Sequence, residues 1–160
     1  MGKLVFLLVI LIVAAAGVLL FIEGPAEEEG LTIQLYYYDP ALDTDETGNI
    51  QCSKEGLVAV PRVLLKSTTP EDAVRLLIGG EITEAEKERG VTSEFPLSGF
   101  SLQSAEHESG VLTLTFEDPE FKTSGGACRV GILWFQIEET AKQFASVEEV
   151  RSMPEELFQP

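Results

Sequence analysis

The chain opens on an unbroken apolar run, Leu4 to Ile22 (LVFLLVILIVAAAGVLLFI), and only after it does polarity begin to alternate. Coiled as a helix at about 1.5 Å per residue, such a run is roughly 28 Å long, close to the hydrocarbon thickness of a bilayer. Residues 1–22 therefore read as a transmembrane anchor. The rival reading is a cleaved signal peptide, whose apolar region spans about 7–15 residues and ends at a small-x-small site. Here Ala14, Ala15 and Ala16 lie inside the run, and apolar residues continue past them. Residues 23–30 (EGPAEEEG) read as an acidic linker.

Residues 31–160 read as one domain. Leu31–Tyr38 (LTIQLYYY) alternates and then turns aromatic, which predicts a strand. Residues 39–56 are polar and rich in turn formers, as in a surface loop. Leu57–Leu65 (LVAVPRVLL) predicts a second strand, with Pro61 marking an edge or a bulge. Thr69 then suits a helix cap, Pro70 the first helical position, and Glu71 and Asp72 the positive end of the dipole. Ala73, Val74, Leu77 and Ile78 form that helix's apolar stripe, and Gly79-Gly80 ends it. Ile82–Arg89 reads as a short charged helical turn.

Phe100–Gln103 and Val111–Phe116 (VLTLTF) predict two strands, joined as a hairpin through His107–Gly110. The Gly-rich stretch Thr123–Gly131 (TSGGACRVG) leads into a long helix, in which Val130, Trp134, Ile137, Ala141 and Phe144 recur at helical spacing as core. Ser146–Met153 predicts a last strand. The order β-β-α-β-β-α-β predicts an α+β fold, two helices packed on one face of a small mixed or antiparallel sheet.

Charge narrows the class of partner. The chain of 160 residues carries 27 acidic and 11 basic side chains, a formal net charge of −16. Of the basic residues only Lys3 lies within 1–22, so the remainder is more acidic still. Such a surface repels nucleic acid and anionic lipid headgroups. Lys3 precedes the apolar run, while Glu23, Glu27, Glu28 and Glu29 follow it. Positive charge stays in the cytoplasm, so the expectation is a single-pass protein of the cell membrane with its C-terminal domain extracytoplasmic.

Outside the cytoplasm disulfides persist, and a Cys52–Cys128 bridge is the default for the two cysteines. The alternatives are two buried thiols or, more remotely, a metal site, for which one histidine and two distant cysteines give no zinc spacing. Asp43–Lys54 (DTDETGNIQCSK) partly imitates a calcium loop: Asp43, Asp45 and Thr47 stand at its first, third and fifth positions, and Gly48 at its turn. Lys54, however, occupies the place of the bidentate glutamate. Weak calcium or glycan binding through loop 39–56 is thus the alternative functional reading. TSGGACRVG lacks the lysine and spacing of a phosphate loop, so it reads as a bend. His107 has no nucleophile beside it in sequence. No catalytic residue and no cofactor is expected.

Four segments carry a resemblance: LTIQLYYY, VPRVLLKSTTPEDAVRLLIGG (Val60–Gly80), VLTLTFEDPEF (Val111–Phe121) and ILWFQIEETAKQFASVEEV (Ile132–Val150). Together with the Gly-rich turn and the tail ELFQP, they resemble the GerMN domain, named for a spore-germination and sporulation protein of Gram-positive bacteria, in its single-domain membrane-anchored form. The resemblance implies an extracytoplasmic module similar to the ring-building folds of secretion and sporulation assemblies. It implies protein interaction as the role, with another envelope protein or the chain itself as partner, and brings no catalytic residues. The chain departs from the namesake in having one copy of the domain where the namesake has two, and in the acidic loop at 39–56.

Overall fold

In a computed structural model describing residues 30–64 and 67–159, β1 (Leu31–Tyr38) and β2 (Leu57–Leu64) pair antiparallel in a sheet of two strands. The expected anchor, and all of the expected linker except Gly30, lie outside the described residues. Among the described residues no helix is long and apolar enough to cross a membrane. The alternation in β1 sends Ile33, Leu35 and Tyr37 into the core, while of β2 only Val60 is fully buried. β2 is therefore the outer strand, and Pro61 sits on it at no cost to a ladder hydrogen bond.

Two capped helices follow. α1 (Pro70–Ile78) starts with Thr69 and Asp72 exchanging the reciprocal bonds of a capping box, and it buries Ala73, Val74 and Leu77. α2 (Glu84–Glu88) repeats the device with Thr83 and Glu86. Gly80 turns the chain between them with φ +69°, and a Cβ there would run into the backbone of Phe95.

β3 (Ser101–Glu108) and β4 (Val111–Glu117) form the expected hairpin, but its loop is only Ser109-Gly110, both at positive φ. His107 consequently lies in β3. After the Gly-rich turn comes α3 (Ala127–Lys142), and β5 (Glu149–Met153) then lies parallel to β4. The second sheet is mixed, in the order β3-β4-β5.

The fold is α+β; the described residues form three helices and two small sheets, where one sheet and two helices were expected. The cause is at the free edge of β1. Gln143, just past α3, accepts from Gln34 N at 2.7 Å and donates to Gln34 O at 2.7 Å, and Thr140 Oγ1 accepts from Tyr36 N at 3.0 Å. Helix side chains thus fill the place where a third strand would have joined the sheets. One apolar cluster nonetheless spans both, including Leu35, Tyr37, Leu77, Leu112, Leu114, Leu133 and Ile137. Trp134 and Phe144, expected in the core, are half-buried and pack against it.

Candidate functional site

Loop 39–56 is organised around one buried carboxylate. Asp43 is 3% exposed. Its oxygens accept from Tyr38 Oη at 2.6 Å, from Ser53 N at 2.8 Å and from the Ser53 hydroxyl. Burial raises its pKa, but the bonds from Ser53 and Tyr38 outweigh burial and hold the carboxyl below its ordinary range. Conversely, burial and the Asp43 carboxylate push the Tyr38 phenol well above its ordinary range. Asp45, exposed at the loop's tip, accepts from Thr47 N and Oγ1 at 2.8 and 2.7 Å and from Asn49 N at 2.9 Å. Those bonds, led by Asn49 N, lower its pKa to about 2. Asp43 thus points inward, and Asp45 and Thr47 spend their groups on the turn. Of the three calcium candidates, Asp45 and Thr47 bond each other, while Asp43 bonds Tyr38 and Ser53. Among the described residues no group of three or more His, Cys, Asp or Glu side chains is placed to hold a metal ion.

The loop is fastened to α3 at two levels. Cys52 and Cys128 are bridged across 76 residues, with Cα atoms 5.1 Å apart, at the helix's first turn. Farther along, Lys54 Nζ reaches Glu138 and Glu139, both at 2.6 Å, and lies 5.5 Å from the centre of the Phe135 ring. Lys142 joins Glu138 at 2.7 Å. Burial disfavours the Lys54 charge, and Glu138 with Glu139 outweigh it, so its pKa rises. The residue that breaks the calcium pattern is therefore a clamp.

The Gly-rich turn is a bend, with Gly125 at φ 146°. Arg129 holds it shut by donating to the carbonyls of Lys122 and Ser124 at 2.9 and 2.8 Å while bonding Glu94. Asp118 braces the same turn by accepting from Lys122 N, Thr123 N and Thr123 Oγ1. His107 Nε2 pairs with the Ser146 carbonyl at 2.8 Å. Sequence reasoning missed Gln136 and Thr140, polar yet fully buried on α3. Gln136 is bonded to Ser93 and to the Ile132 carbonyl.

Two surface cavities flank the C-terminal turn. One, of about 500 Å³, is lined by residues 150–153 of β5 together with Trp134, Leu157 and Phe158. The other, of about 440 Å³, lies between Phe121, Pro154 and Leu157. The Phe158 ring holds the turn in place, 5.3 Å from Trp134 and 5.8 Å from Phe116 between ring centres.

These features amount to a braced surface of loops, strand edges and shallow grooves. Residues 34–151 match the sequence model of Germane, described as "Sporulation and spore germination". The chain belongs to the Germane family. The family's fold is seen in the tandem GerMN domains of the sporulation protein GerM from Bacillus subtilis. That structure superposes with a TM-score of 0.51 at 14% identity, covering 83% of this chain and 42% of that one. This Germane chain thus spans less than half of the GerM structure. A putative lipoprotein from Clostridium perfringens is more distant, with a TM-score of 0.41 at 12% identity over 81% of this chain and 77% of that one. No curated protein matches the chain.

Proposed function

We propose that this Germane protein is a membrane-anchored, extracytoplasmic interaction domain of the bacterial cell envelope, working as a scaffold rather than an enzyme. One observation carries the reading: in GerM the same fold occurs twice in one chain, so it is a fold set beside copies of itself. Two further features support it. The bridge between Cys52 and Cys128 suits an oxidising compartment. The apolar run at 4–22, preceded by Lys3 and followed by glutamates, suits an anchor with the domain outside.

Crosslinking in intact cells, followed by mass spectrometry, tests the reading. A reproducible envelope partner, or a second copy, is the expected product. Recovery of the uncrosslinked chain alone would overturn the scaffold role. Protease added to unbroken protoplasts tests the topology separately, and a domain left uncut would place it inside.

A further inference from the structure

Among the described residues the two sheets have four edges that face away from a partner strand, and three of them are closed. β1 is capped by Gln143 and Thr140, and its end bridges to Thr92. β2 carries Pro61 in mid-strand, and Arg62 donates to the Pro61 carbonyl at 3.0 Å. β3 is broken by a bulge between Leu102 and Ser104, where Arg75 donates to the Leu102 carbonyl at 2.6 Å. β5 has no such device among the described residues.

Its register identifies the open groups. Glu149 N donates to Gly110 O at 3.1 Å, so Glu149, Arg151 and Met153 turn their backbone toward β4. By alternation the N–H and C=O of Val150, 7% exposed, and of half-buried Ser152 point away from β4. Both residues also line the cavity of about 500 Å³, together with Trp134. Exposed Glu148, Glu149, Glu155 and Glu156 surround this edge, and Arg151 is already paired to Glu149 at 2.7 Å. A second copy would bring the same carboxylates against them, whereas lysines or arginines would complement them.

We propose that the outer edge of β5 receives an extended basic segment of a partner protein, which pairs with Val150 and Ser152 as the fourth strand of its sheet and seats an apolar side chain over Trp134. Main-chain bonds supply affinity in this mode, and alternate side chains supply specificity. The proposal rests on the interaction reading above.

The test uses the full chain in zwitterionic detergent micelles and a peptide alternating lysine with valine and phenylalanine. Amide exchange at Val150 and Ser152 should slow by about tenfold or more on binding. Ser152→Pro, which copies the Pro61 device, should weaken binding by about tenfold or more, as loss of a main-chain bond predicts. A peptide N-methylated on alternate residues should do the same with the protein unaltered. Equal binding of a glutamate-for-lysine peptide, or protection only elsewhere, overturns the proposal. In cells, a photocrosslinker at Ser152 should capture a different protein. Capture of a second copy there, or capture at Val63 but not at Ser152, rejects the β5 site while leaving the interaction reading intact. Capture at neither position rejects both.

Discussion

Gln143 spends both ends of its side-chain amide on the backbone of Gln34, accepting from its N–H and donating to its C=O, each at 2.7 Å. One side chain thus does for β1 what a neighbouring strand would have done. Gln143→Leu keeps the approximate bulk and removes both bonds, leaving a part-buried donor and acceptor unpaired. Urea unfolding should show a loss of about 1–3 kcal/mol. A variant as stable as the parent would mean that the edge is satisfied by water.

The pair Arg62–Glu86 sets an acid-sensitive contribution. Glu86 is buried, accepts from Arg62 Nη1 at 2.7 Å, and also accepts from Thr83 N at 2.8 Å. Arg62 first, and then Thr83 against the opposing cost of burial, lower its pKa from 4.5 to about 2. A depressed folded pKa stabilises at pH above the ordinary value, and the contribution is lost as pH falls through the folded one. Glu86→Gln should therefore cost about 1–3 kcal/mol near pH 6, with the gap to the parent closing between about pH 4.5 and 2. The difference between the two proteins is the informative quantity, because acid also relieves the repulsion of a chain at −16. A gap independent of pH would show that Glu86 acts by packing alone.

How much of this was legible in the sequence depends on which pattern each element obeys. β4 reads directly as VLTLTF because one face of its alternation is core, and α1 because Thr69, Pro70 and Asp72 spell its start. β3 reads poorly: in SLQSAEHE only Leu102 is fully buried, so pairing with β4 rather than its own pattern makes it eight residues long. The split into two sheets was illegible. It depends on Thr140 and Gln143 turning polar groups inward, while helical periodicity assigns such residues to solvent. Of the site, the Cys52–Cys128 pairing could be read from compartment and count. The clamp of Lys54 on Glu138 and Glu139 could not, since 84 residues separate Lys54 from the nearer of them.

That bridge closes a long loop, and the chain-entropy account gives it about 4 kcal/mol. Reduction, or the Cys52→Ser variant, should lower stability by about that amount. Because Lys54 still ties the loop to α3, the folded state should persist, with amide exchange rising first in residues 39–53. Mass analysis without reductant should find no free thiol. Two free thiols in protein taken from the envelope would remove both the bridge and its support for an external location.

Calcium provides the sharpest check on loop 39–56. A site of about 1 mM affinity would stabilise the fold by about 1.4 kcal/mol at about 10 mM calcium, enough to move a melting curve visibly. The geometry argues for no movement. Asp43 would have to give up Tyr38 and Ser53, and Asp45 the bonds that shape its turn. Lys54 would also have to leave two glutamates on α3. The expected outcome is an unchanged melting temperature in the parent, and a lower one for Asp43→Asn regardless of calcium. If calcium instead raises the parent's melting temperature and Asp43→Asn abolishes the rise, the loop is a ligand site and its internal bonding is only the empty state.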